Sequence, residues 1–198
     1  YVHVGSAIMS GTEFISNECA TTGGAAYLRH TATLTEGKFE RNHADQSGGG
    51  LYVSDGDLVM NVNEFISNTA SSNGGGAYVY YTATLTGGGF QGNQSAWFGG
   101  GLYAPYGNLS MGGTLFVGNS SLGTAPVHAA QRGKPVIQTS IKGGGACVGG
   151  HAMLTGGRFE DNYSHCHGGG LYVTSYLVMT GTEFISNTSW LYEGGGAY

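Results

Sequence analysis

The chain has 198 residues, 39 of them glycine, with 10% charged residues and a formal net charge of −5. Seven Lys plus Arg exclude the basic footprint of a nucleic-acid binder. Glycine without a three-residue period excludes collagen, and no run of 18 apolar residues is present to cross a membrane as a helix. The glycines come in triplets between runs of alternating hydrophobicity, so they read as turn punctuation and not as flexible linker.

In chain order, the first recognisable phrase is GTEFISN at 11–17, and it returns word for word at 181–187. Weaker copies fill the interval. Phe-x-x-Asn begins at Phe14, Phe39, Phe65, Phe90, Phe116, Phe159 and Phe184, with spacings of 25, 26, 25, 26, 43 and 25. A tyrosine marker runs in step at Tyr1, Tyr27, Tyr52, Tyr78, Tyr103, Tyr172 and Tyr198, with Cys147 taking the place of one tyrosine. Self-similarity at this period marks a solenoid. The long spacing predicts an insertion at about 122–142, which carries Arg132, Lys134 and Lys142.

Within a coil, the first predicted strand alternates. Ala7, Ala32, Leu58, Ala83, Leu109, Ala152 and Leu177 form one inward column, and Met9, Leu34, Met60, Leu85, Met111, Leu154 and Met179 form the next. A second short strand is predicted to start at each Phe, which points inward. The Asn three residues later (Asn17, Asn42 and Asn68 in the first coils) stacks in an amide ladder. After the glycines, a third strand turns Ala26, Leu51, Ala77 and their equivalents inward and the tyrosines outward. Outward residues just before Phe read as a charge ladder, Glu13, Lys38 and Glu64 alternating in sign because like charges at strand spacing repel. The expectation is one all-β segment spanning 1–198. It is a right-handed parallel β-helix of about seven coils, each 25–26 residues, with a two-coil, 51-residue superrepeat from alternating Met and Leu coils. Because the chain begins and ends in mid-pattern, it reads as part of a longer protein.

Phe-x-x-Asn paired in tandem with Gly-Gly-Ala or Gly-Gly-Leu resembles the repeats of the chlamydial polymorphic outer membrane proteins. The resemblance covers the chain outside the insertion. It implies a surface-exposed β-helical passenger region with a role in adhesion.

Few residues invite chemistry. Five N-x-S/T sequons, at Asn93, Asn108, Asn119, Asn162 and Asn187, exceed the roughly two that chance supplies and suggest N-linked glycans on a secreted protein. Four of them coincide with the ladder Asn, which leaves Asn108, in a turn, as the cleanest candidate. The outward column Tyr27, Tyr52, Tyr78, Tyr103 and Tyr172 is either a self-stacked ladder or a binding surface for sugar rings or a neighbouring filament. Cys19 and Cys166 lie too far apart to bridge, Cys147 sits in the tyrosine column, and the odd count leaves a free thiol or an intermolecular bond. The His-Cys-His run at 165–167 lacks the spaced pairs of a zinc site. Asp55 and Asp57 share a turn with no basic residue in phase. Glu13 and Glu64 stand two coils apart, roughly 10 Å by strand spacing.

No catalytic site, metal or cofactor is therefore expected. The expected role is an extracellular or cell-surface structural solenoid, a glycosylated filament subunit or the stalk of an adhesin. Its expected partners are copies of itself, end to end or laterally, or cell-surface ligands. The alternative is a carbohydrate-binding or carbohydrate-cleaving β-helix that uses the tyrosine column.

Overall fold

The computed structural model describes residues 5–123 and 140–198, and every named element in them is a strand of two to four residues. The period-two pattern drives the first set. In Leu58–Asn61 and Ala83–Thr86, buried Leu58, Met60, Ala83 and Leu85 alternate with exposed positions. Strands this short are unstable alone. Each pairs in parallel with the same strand one coil away, and the stacked sheets form a β-solenoid of about seven turns.

One seven-stranded sheet runs from Ala7–Ser10 to Leu177–Thr180, and a second runs from Glu13–Ile15 to Glu183–Ile185. A six-stranded sheet runs from Ala26–Leu28 to Leu171–Val173. Register is locked residue to residue: Leu85 faces Met60 and Met111, and Phe65 faces Phe39 and Phe90. The Phe rings stack along the axis at 4.6–4.9 Å.

Two details differ from the sequence reading. The Phe strand begins one residue before the Phe and ends one after it, as in Glu13–Ile15. A fourth strand of two residues follows each ladder Asn, from Glu18–Cys19 to Thr188–Ser189, and builds another seven-stranded sheet. Two residues cannot display a hydrophobic period. The available signal was a column of small residues: Ala44, Ala70, Ser95, Ser121 and Ser164, all buried.

The asparagine ladder forms as expected and holds a strained turn. Asn93 donates its backbone N–H and its Nδ2 to Asn119 Oδ1 at 3.0 and 2.9 Å, and Nδ2 also donates to Phe65 O at 2.8 Å. The same pattern repeats at Asn42, Asn68, Asn119 and Asn162. The preceding residue is left-handed, with φ of 52–55° at Ser16, Arg41, Ser67, Asp161 and Ser186. A non-glycine residue there costs about 1–2 kcal/mol, which the buried amide bonds next to it offset. The glycine triplets answer closeness of backbone. At Gly99, φ is 61° and a Cβ would lie 2.1 Å from Leu102 O; at Gly100 it would lie 2.4 Å from Gly144 O.

The two-coil superrepeat has a cause beyond Met and Leu filling. Two residues before Phe the chain reads Thr12, Gly37, Asn63, Gly88, Thr114, Gly157 and Thr182. The polar side chains reach into the glycine coils. Asn63 Oδ1 accepts from Gly37 N at 2.6 Å, Thr114 Oγ1 donates to Gly87 O at 3.0 Å, and Thr182 Oγ1 donates to Gly156 O at 2.9 Å. A Cβ at Gly37 would meet that Asn63 oxygen at 2.8 Å. A side chain in one coil therefore requires none in the next.

Candidate functional site

The tyrosine column stands on the outer face of the six-stranded sheet, because the residues on either side of each tyrosine point into the core. Of the two readings of this column, the rings take the arrangement of a self-stacked ladder with one break. Tyr78 and Tyr172 are buried, and Tyr27, Tyr52 and Tyr103 are half-buried. Tyr27 stacks on Tyr52 at 5.3 Å, Tyr52 on Tyr78 at 4.5 Å, and Tyr172 on Tyr198 at 5.3 Å. These contacts use the ring faces. Burial, acting first, raises the pKa of Tyr52, Tyr78 and Tyr103, so their hydroxyls stay protonated at neutral pH. Tyr1 lies outside the described residues.

The stack breaks at one rung. Cys147 pairs in register with Tyr103 on one side and Tyr172 on the other. With no ring above it, Tyr103 turns to 77° against Tyr78 and leans on Phe98 at 5.3 Å. Lys142 reaches in from the other side. Its Nζ lies 4.4 Å from the centre of the Tyr172 ring and donates to Tyr172 Oη at 2.9 Å. The space left is a cavity of about 130 Å³ between Tyr103 and Tyr172, with Pro105 and Thr174 on its walls and Cys147 in its lining. Burial pushes the Cys147 thiol up to about 12, so it is protonated and unreactive at neutral pH.

A second, larger recess of about 380 Å³ lies on the outer face of the Phe sheet. It exists because Gly88 and Gly89 carry no side chains between Glu64 and Leu115. A Cβ at Gly88 would lie 2.1 Å from Asn63 O. Val62, Ile66, Leu115 and Val117 wall it. Neither recess was anticipated from sequence, although Cys147 and Gly89 were visible as odd members of their columns.

The sequons separate by burial. Asn93, Asn119 and Asn162 are fully buried, and each Nδ2 donates both to the next ladder oxygen and to a Phe carbonyl. A glycan replaces one of those hydrogens and needs solvent, so these three expected attachment sites are incompatible with the fold. Asn187 is half-buried and donates to Phe159 O at 2.7 Å. Asn108 is exposed in its turn, where Oδ1 accepts from His151 N at 2.8 Å.

The charge column also needs refinement. Lys38 lies in register with Glu13 and Glu64, but its ion pair runs along its own strand, to Glu40 at 2.6 Å. Arg158 pairs likewise with Glu160 at 3.1 Å. Residues two apart on a strand share a face, so the Lys-Phe-Glu and Arg-Phe-Glu triplets place both charges beside an inward Phe. The Glu40 hydrogen bond, acting first, raises the Lys38 pKa, with Glu13 and Glu64 adding less.

The remaining candidates have packing roles. Asp57 Oδ1 accepts from Thr82 N at 2.9 Å. Cys19, Cys147 and Cys166 are unbridged, and the last two are buried. Among the described residues no three His, Cys, Asp or Glu side chains gather as a metal site, and no helix is long and apolar enough to cross a membrane. Arg132 and Lys134 of the insertion lie outside the described residues.

Compared with known proteins, the chain is 40% identical over 82 residues to the "Probable outer membrane protein pmp20" of Chlamydia pneumoniae. That alignment covers 37% of this chain, and the chain spans about 5% of the length of the relative. No family model and no solved structure matches it.

Proposed function

We propose that this chain is a length of rigid shaft in a surface-displayed, adhesin-type protein, where it holds other parts of that protein away from the cell. The observation that carries the reading is the continuity of the interior. Seven Phe rings and seven ladder Asn run in unbroken register through the described coils. Each coil is tied to its neighbours by backbone bonds, stacked rings and paired amides, which resist bending and shear together. The chlamydial outer membrane relative supports surface display. An N-linked glycan at the exposed Asn108 belongs to the same proposal, and intact glycopeptide spectra of native material showing Asn108 bare would remove it.

Electron microscopy of cells producing the parent protein, with gold-labelled antibody against this segment, tests the shaft. Discrete short rods standing off the surface are expected. Long unbranched fibres carrying the label along their length would overturn the stalk and make the segment a filament subunit.

A further inference from the structure

The break in the tyrosine stack has the dimensions of the ring it lacks. Tyr103 and Tyr172 stand two coils apart, about 9.6 Å at the usual strand spacing. A flat ring midway would lie about 4.8 Å from each coil, stacked on the Tyr172 face that Tyr198 leaves open and meeting the turned Tyr103 ring at its edge, both arrangements that aromatic pairs prefer. Lys142 Nζ now stands on that Tyr172 face at 4.4 Å and must swing to the rim on its flexible stem as the ring enters. The recess of about 130 Å³ is open to solvent on one side, and in size it approaches the roughly 150 Å³ of a closed apolar cavity that takes up benzene. Phe98 and Pro105 add apolar wall, and the protonated thiol of Cys147 adds no charge.

One group in the cavity is charged. Lys142 Nζ has three donors. One goes to Tyr172 Oη, and the ion pairs among the described residues give Lys142 no carboxylate. The stretch 124–139 contains no Asp or Glu that could supply one. A cation on the open face of Tyr172, carried by a stem that can swing aside, suits an entering ring that carries its own negative charge.

We propose that the gap at Cys147 binds one flat aromatic ring bearing a carboxylate, with the ring in the missing rung between Tyr103 and Tyr172 and its acid on Lys142 Nζ. This goes beyond the shaft reading, because a shaft needs no ligand and the two can fail separately.

Sodium benzoate is the probe, added to the whole 198-residue chain and followed by the NMR signals of Tyr103, Tyr172 and Lys142. Saturable shifts of these residues are expected. Cyclohexanecarboxylate keeps the acid and loses the flat ring, and should bind at least about tenfold more weakly. Equal binding by cyclohexanecarboxylate or acetate would reduce the site to a bare anion contact on Lys142 and overturn the proposal, as would no saturable shift with benzoate. Cys147→Tyr fills the rung with the residue its neighbours use, and should abolish benzoate binding while the circular dichroism spectrum stays native. If that variant fails to fold, Cys147→Phe fills the same rung with a ring that lacks the hydroxyl and carries the same expectation. Retained binding in a folded filled variant would overturn the proposal. Lys142→Met should weaken benzoate about tenfold or more, the scale of a charge-assisted hydrogen bond. It should leave the weaker binding of benzyl alcohol unchanged.

Discussion

Two aromatic ladders run the length of the described coils at the same pitch, one inside and one outside, and only the inner one is unbroken. The phenylalanines stack at 4.6–4.9 Å with small interplanar angles through all seven rungs. The tyrosines hold stacked geometry from Tyr27 to Tyr78, turn edge-on at Tyr103, and give way to Cys147. Register alone therefore does not enforce identity. An inner rung is closed on all sides, so a missing ring leaves a void that nothing fills. An outer rung has solvent on one side, and a lysine from the adjacent turn can reach across the vacancy.

The largest effect that would sharpen this contrast is truncation of matched rungs. Phe65→Ala should cost about 3–5 kcal/mol, the range for a buried Phe. Tyr52→Ala loses two stacked contacts, each worth about 0.5–1.5 kcal/mol beyond area, from a half-buried site. It should cost clearly less in a denaturant titration with unchanged slope. Equal losses would mean that the outer ladder is as closed as the inner one, and the comparison would break.

Next in size is a central amide rung. Asn119→Leu keeps the heavy-atom count and branching of the side chain and removes the acceptor that serves both Asn93 N and Asn93 Nδ2. The Asn93 backbone N–H and one of the two Nδ2 hydrogens lose their acceptor, while Nδ2 keeps its bond to Phe65 O, which predicts a loss of about 2–5 kcal/mol. Hydrogen exchange should show it first at the left-handed turns of Gly92 and Gly118, because those turns lean on the ladder. A loss near zero would show that water enters and substitutes.

Cys147→Tyr runs in the opposite direction and is smaller. Completing the outer stack should stabilise the chain by roughly 0.5–1.5 kcal/mol, the worth of an aromatic pair, and raise Tm accordingly. A fall in Tm would mean that the Lys142 contact with Tyr172 is worth more than the ring that displaces it.

The inner ladder was legible in the sequence because its residues do two things at once. Phe and Asn recur at a fixed offset, and the columns before them are apolar at alternate positions, so period and burial give the same answer. The outer ladder was legible in direction but not in burial. Whether an outward Tyr lies open or under its neighbour depends on ring rotation and on the turn residues beside it, such as Phe98 and Lys142, which follow no repeat. The two-residue strands escaped because nothing shorter than three residues shows alternation. The polar-to-glycine exchange that sets the two-coil period was present at Thr12, Gly37, Asn63 and Gly88. Its meaning required knowing that adjacent coils approach within 2.6 Å, Asn63 Oδ1 to Gly37 N. Burial then divided the sequons, excluding Asn93, Asn119 and Asn162 and leaving Asn108 open.

The smallest expected effect concerns the surface charges flanking Phe39. Lys38 and Glu40 are bonded along one strand at 2.6 Å, and the pair shifts both groups toward their charged forms. The Glu40 pKa falls from 4.5, chiefly through its Lys38 hydrogen bond, and the Lys38 pKa rises from 10.5, chiefly through its Glu40 hydrogen bond. A lowered acid contributes stability above its unfolded value and loses it as pH falls through the folded one. A raised base contributes below its unfolded value and loses it as pH rises through the folded one. The pair is therefore fully formed between about pH 4.5 and 10.5. Both groups face solvent, so the coupling is weak and screened by salt. A double-mutant cycle with Lys38→Met and Glu40→Gln should give a small favourable coupling at neutral pH and low ionic strength. It should fade as pH falls below 4.5 and through the lowered Glu40 value, and shrink in molar salt. A coupling that persists in molar salt would show that the Phe39 ring and the neighbouring strands shield the pair, and the outer face of the Phe sheet would then be as protected as the core beneath it.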